Sequence, residues 1–175
     1  MTYKTEIKIN GFTLIELMIA IAIFVILLSM TVLNFRSSDK NKDLHSNANL
    51  VLAGIEQAQS MALSGQLVGG TIPDSYNFVI KLCKTGAGNC GYFLTASTTA
   101  SSILIKSVST TKAYVSSTGV TIGFAPPRAN ATISGGATST VITLYHVSDP
   151  SILWYICFSS VSGRAFVTNN KADCQ

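Results

Sequence analysis

A single carboxylate, Glu16, sits inside an apolar run that extends from Phe12 to Phe35 and carries no other charge. The run is roughly two dozen residues, enough for a helix to cross a hydrocarbon core of about 30 Å. A carboxylate in such a segment costs about 2.5–3.5 kcal/mol on insertion scales, so it requires a partner or a function. A plain signal anchor accounts for the length and leaves Glu16 unexplained. A cleavable secretory peptide needs a shorter apolar core followed by small residues, and Ser29-Met30-Thr31 is a poor version of that site.

The segment Gly11-Phe12-Thr13-Leu14-Ile15-Glu16, joined to the unbroken apolar helix behind it, closely resembles the N-terminal signal of type IV pilins and type II secretion pseudopilins. The resemblance implies a leader over residues 1–11, cut by a prepilin peptidase between Gly11 and Phe12, with N-methylation of the new terminal Phe12. It implies that Glu16 serves assembly, neutralising the terminal amine of a neighbouring subunit. It also implies a single pass through the bacterial inner membrane with the N-terminus cytoplasmic and the head periplasmic, before entry into a pilus or pseudopilus. The implied partners are other pilin-like subunits, the prepilin peptidase and the inner-membrane assembly platform. Lys4 and Lys8 before the run agree with a cytoplasmic leader, although Arg36, Lys40 and Lys42 follow it and leave the charge rule indecisive.

The helix is expected to continue past the membrane. Leu44, Ala48, Val51, Ile55, Ala58 and Ala62 recur in steps of four and three, a narrow apolar stripe at helical spacing, and Gly65 supplies a stop. One helix from Phe12 to Ser64 would be about 80 Å long. The alternative is a membrane helix and a separate short one, broken within the polar stretch 36–43. Many pilins carry a proline kink early in this helix; Val32-Leu33-Asn34 offers none. The expected organisation is leader 1–11, membrane and filament-core half-helix 12–35, amphipathic half-helix 36–65 and β-rich head 66–175. The fold class is α+β, a long N-terminal helix packed on an antiparallel β-sheet head, the pilin fold.

Beyond Gly65 the chain turns to short β-branched and aromatic runs. The expected strands are Tyr76–Cys83, Gly91–Thr95, Ile103–Val108, Val120–Ala125, Thr140–Val147, Leu153–Phe158 and Arg164–Thr168, with a hairpin connection over 159–163. Ser148-Asp149-Pro150 and Pro126-Pro127 read as turn and loop, and the Ser/Thr-rich stretch 95–102 as an exposed loop. Four cysteines in an extracytoplasmic head point to two disulfides. Three pairings exist, and sequence locality favours Cys83–Cys90 and Cys157–Cys174. The second would staple a tail that otherwise frays. The spacing lacks the C-x-x-C pairs of a zinc site.

Three segments narrow the resemblance to the GspH/FimT/FimU group of minor pilins and pseudopilins. They are residues 50–65, the strand and turn Val120-Thr-Ile-Gly-Phe-Ala-Pro126, and Ile156-Cys-Phe-Ser-Ser-Val-Ser-Gly-Arg164. Where that group has Gly after the proline, this chain has Pro127. The group's implied role is to help initiate or cap a type IV pilus or type II pseudopilus. The alternatives are a major pilin subunit or a DNA-binding pilin of the competence machinery. DNA-binding members carry Gly-Arg-x-Arg near the C-terminus, whereas here Gly163-Arg164-Ala165-Phe166 lacks the second Arg. Arg128, Arg164 and Lys171 are the candidates for phosphate contact, and the net charge of +4 is too small to argue for nucleic acid by itself. No catalytic, metal or cofactor residues are assigned. His45 and His146 are far apart in sequence, no nucleophile, P-loop or zinc-protease motif occurs, and an enzyme is not expected.

Overall fold

The computed structural model describes residues 13–81, 90–99, 101–110, 112–115 and 119–174; the side chains of 29–37, 81 and 90 lie outside that description. The chain divides into two compact units, one ending at Asp39 and one spanning Lys40–Gln175. Helix α1, Leu14–Ser64, contributes to both.

In the first unit every described side chain from Leu14 to Leu28 is exposed. Apolar residues on all faces of a helix have no core of their own to enter, which is the pattern of a helix meant for lipid or for other helices. Among the described residues, no helix is long and apolar enough to cross a membrane. The described side chains of the expected span are those of 13–28.

The second unit is built on the other half of α1. Leu44, Ala48, Val51, Ile55, Ala58 and Ala62 are each at most 2 % exposed, so the stripe seen in the sequence is the face that packs. The helix ends at Gly65, whose φ is +59°. The Gly65 N–H bonds to the Ala62 carbonyl at 3.3 Å and the Gln66 N–H reaches the Met61 carbonyl at 3.2 Å. This is the paired-bond C-cap that a left-handed glycine permits.

Among the described residues nine strands follow: β1 Ser75–Lys81, β2 Cys90–Ser97, β3 Ser102–Thr110, β4 Ala113–Val115, β5 Thr121–Ala125, β6 Asn130–Ile133, β7 Ser139–His146, β8 Asp149–Ser159 and β9 Arg164–Thr168. They form two antiparallel sheets, ordered β3-β2-β1-β5-β6 and β4-β7-β8-β9. One core unites them with α1. The Phe124 ring of the first sheet meets Phe158 of the second edge-on at 5.9 Å, and Phe78 packs against Tyr92 at 4.9 Å. The fold class is α+β, an N-terminal helix on an antiparallel β domain.

Several sequence expectations need correction. Strands β4 and β6 add to the expected set, because each is short and exists by pairing, β4 with β7 and β6 with β5. Part of the expected 95–102 loop is strand, since β2 runs to Ser97 and β3 starts at Ser102. Strand β8 begins at Asp149, inside the expected turn. Pro150 is tolerated there because the β7–β8 register shifts between Tyr145 and His146, so no β7 residue pairs with it, and β9 pairs only with 155–159. The expected hairpin connection closes through Gly163 at φ +65°, with its N–H on the Ser159 carbonyl at 2.9 Å.

Candidate functional site

The candidate assembly residue, Glu16, stands in the first turn of α1. Thr13 precedes the helix, and its hydroxyl oxygen accepts the Glu16 backbone N–H at 3.3 Å. The same hydroxyl donates to Glu16 Oε2 at 3.5 Å. Thr13-Leu-Ile-Glu16 therefore acts as an N-terminal cap, satisfying a donor that the first turn leaves open. The sequence signal for this cap is the S/T-x-x-E pattern Thr13-Leu14-Ile15-Glu16 itself. The carboxylate is exposed and near the positive end of the helix dipole. Chemically it can receive a cation delivered from outside the chain. Gly11 and Phe12, the expected cleavage and methylation positions, lie outside the described residues.

Of the cysteines, Cys157 on β8 and Cys174 in the final 3-10 turn form a disulfide with Cα atoms 5.2 Å apart. The expected Cys83–Cys90 bond lies outside the described residues. A cavity of about 260 Å³ opens beside Cys157–Cys174, between Phe158 and Phe166. Its wall includes the Asp173 carboxylate, which accepts bonds from the Thr168 hydroxyl at 2.7 Å and the Asn170 amide at 3.3 Å, tying down the tail.

Arg128, Arg164 and Lys171 are all exposed. Arg128 lies in the turn between β5 and β6, Arg164 opens β9, and Lys171 begins the last 3-10 turn. Arg164 and Thr168, the two ends of β9, stand about 13 Å apart at strand rise, and Lys171 follows the far end.

Among the described residues, neither histidine is paired with a carboxylate. His45 is exposed and lies against Trp154, ring centroids 4.4 Å apart. His146 is buried, with Nδ1 accepting the Ser148 N–H at 3.1 Å. The nearby Asp149 carboxylate is held below the usual carboxylate range, first by the Ser151 hydroxyl and then by Lys40 at 3.3 Å. Among the described residues, no group of three or more His, Cys, Asp or Glu could hold a metal ion.

Segments 50–65, 120–126 and 156–164 meet in the core. Val51, Ile55 and Ala58 on α1, Phe124 on β5 and Phe158 on β8 belong to one buried cluster. A Cβ on Gly163 would lie 3.4 Å from Gln59 Nε2. These segments therefore serve packing, and the functional signal is at the N-terminus. There, the family model of the prokaryotic N-terminal methylation motif matches residues 8–32. This supports a type IV pilin-like or pseudopilin protein. A signal of this kind implies processing by a prepilin peptidase, membrane anchoring and assembly with other pilins. No curated protein and no solved structure matches the chain.

Proposed function

We propose that this chain is a minor pilin or minor pseudopilin that helps initiate or cap a type IV pilus or type II secretion pseudopilus. The observation that carries the reading is the methylation motif over residues 8–32, at the head of a helix whose other half packs on an antiparallel β domain. The minor position rests on the likeness of residues 50–65, 120–126 and 156–164 to the GspH/FimT/FimU group. On this reading, the peptidase removes residues 1–11, Phe12 is methylated, and 12–35 spans the inner membrane with the head in the periplasm. The subunit then moves laterally into the filament base. Glu16 attracts the amine of a neighbouring Phe12, and burial among apolar helices strengthens that attraction because little solvent screens it. The protein's work is placement, and it needs no bond chemistry of its own.

Two experiments test this reading. Quantitative mass spectrometry of purified filaments should find the chain at low copy with its N-terminus at methylated Phe12. If it were the most abundant subunit, the major-pilin alternative would replace the minor one. The role of Glu16 is separated from its capping role by comparing Glu16→Gln with Glu16→Ala. Glutamine serves a capping box as well as glutamate does but carries no charge. Both variants should insert in the membrane and fail to enter filaments; normal incorporation of Glu16→Gln would remove charge compensation from the argument.

A further inference from the structure

The second sheet has two faces of different kinds. One, through Ala113, Ile142, Leu144, Ile156 and Phe158, is buried in the core. The other faces outward, where an antiparallel sheet ordinarily shows polar residues. Here it shows rings. Tyr114 of β4 pairs across with Tyr145 of β7, their ring centroids 5.4 Å apart. Tyr145 pairs with Leu153 of β8, and Tyr155 lies further along that strand on the same face. Beyond Tyr155, again on that face, Cys157 pairs with Phe166 of β9. Tyr114, Tyr145, Tyr155 and Phe166 thus form a diagonal across the sheet β4-β7-β8-β9. At strand spacing and rise it runs about 14 Å across the sheet and about 13 Å along it, about 20 Å in all. The three tyrosines are half-buried, and Phe166 is 45 % exposed. The other residues paired with them, Thr143, Leu153, Cys157 and Thr168, carry no charge.

We propose that this diagonal of rings is a binding platform for an extended, uncharged β-1,4-linked glycan chain. Equatorial β-1,4 links make a straight, flat ribbon whose broad faces present C–H bonds and whose edges present hydroxyls. The C–H faces stack on the ring faces, and the tyrosine hydroxyls meet the sugar hydroxyls as donors or acceptors. Charge and shape both favour this occupant. Single-stranded nucleic acid also stacks on rings, but it needs cations along the line. Among the described residues paired on this face, the first cation is Arg164, past the Phe166 end. A protein partner needs about 800 Å² on each side, whereas a track about 20 Å long and one ring wide offers far less. At the Phe166 end the track meets the cavity of about 260 Å³ walled by Ser139, Ser159, Phe166 and Asp173. The Asp173 carboxylate already accepts from Thr168 and Asn170. A carboxylate has about four acceptor sites, so it retains capacity for a sugar hydroxyl or an acetamido N–H. The cavity therefore takes the terminal ring or its substituent and fixes one end of the chain.

The test is isothermal titration calorimetry of the full-length protein against chitohexaose and cellohexaose, in micelles of a zwitterionic detergent with no sugar head group. Binding is measured without filaments, so its outcome is separate from that of the minor-pilin reading. At least one of the two sugars should bind. Maltohexaose, whose α links coil the chain, should bind at least about tenfold more weakly. Tyr145→Ala and Tyr155→Ala should each weaken binding about three- to tenfold, the loss of one stacked ring. Leu104→Ala, exposed on the first sheet, should leave it unchanged. Should a tyrosine variant not fold, NMR of the wild type decides instead. The ring signals of Tyr145, Tyr155 and Phe166 should then shift with added hexasaccharide, and the Trp154 indole should not. Failure of both β-linked sugars to bind, equal binding of maltohexaose, or tighter binding of an oligothymidylate overturns the platform. So does self-association of the protein that Tyr155→Ala abolishes, which would make the face an interface between copies.

Discussion

Replacing Gly54 with alanine sets two opposed effects against each other. In an exposed helix interior the change stabilises by about 1 kcal/mol, because glycine loses more backbone entropy on folding. Gly54, however, faces β2. A Cβ there would lie 2.5 Å from Cζ of Tyr92, 2.6 Å from Cε2 and 2.9 Å from Oη. Carbon atoms rest comfortably about 3.5–4.0 Å apart, so the ring would have to withdraw by about 1 Å. It has little room, since Tyr92 is 3 % exposed and its ring packs on Phe78 at 4.9 Å. Overpacking of this kind costs about 1–3 kcal/mol, which exceeds the propensity gain. The expected net loss is about 1 kcal/mol, or roughly 3–5 °C in Tm for a unit of this size. Thermal and urea unfolding of the Lys40–Gln175 fragment measures it, provided the fragment is expressed in an oxidising compartment. The decisive arm is Gly54→Ala in a Tyr92→Leu background. With the ring gone, alanine should become neutral or stabilising by up to about 1 kcal/mol. A gain in stability from Gly54→Ala in the wild-type background would refute the claimed closeness of helix and sheet.

Gly91→Ala should be more damaging, about 4 kcal/mol or more, because its Cβ would fall 1.8 Å from the Val108 carbonyl oxygen, backbone that cannot yield without parting β2 from β3; circular dichroism and urea titration check this. Cys157→Ser should cost about 3 kcal/mol, the chain-entropy value for closing a loop with a sequence separation of 17, read as the difference in urea midpoint between wild type and variant. Burial raises the hydroxyl pKa of both Tyr76 and Tyr92. The folded state therefore binds these protons more tightly than the unfolded one, so their contribution is fully present below about pH 10 and is lost as pH rises through the raised folded values. Tyrosinate absorbance should show these two rings ionising above the ordinary tyrosine range, and Tyr92→Phe should flatten the alkaline loss of stability.

Much of the fold was legible because its signals are local. The stripe Leu44–Ala62 repeats at helical period, Gly65 can take the left-handed φ that ends the helix, and the runs at 121–125 and 164–168 are bounded by turn residues on both sides. Strands β4 and β6 carry no such signal. Ala113-Tyr-Val is too short to declare itself, and Asn130-Ala-Thr-Ile133 follows a diproline that reads as loop. Asp149-Pro150 reads as a turn under any local rule, and becomes strand through a register shift in its neighbour. Within the candidate site, the lone charge of Glu16 is legible in an apolar run, whereas its bond to Thr13 depends on the side-chain rotamers that the first helical turn imposes.

The sequence by itself determined that the N-terminal segment must leave water, that a lone carboxylate goes with it, and that a β-rich head follows. Those are matters of transfer energy and periodicity, which neighbouring residues settle among themselves. Only the tertiary structure decided that Gly54 makes room for Tyr92, that Phe124 meets Phe158 across the two sheets, and that His146 is buried with one nitrogen accepting the Ser148 N–H. Each of these depends on which distant segment arrives at a given place. That is set by the summed packing of the whole core, and no local pattern encodes it.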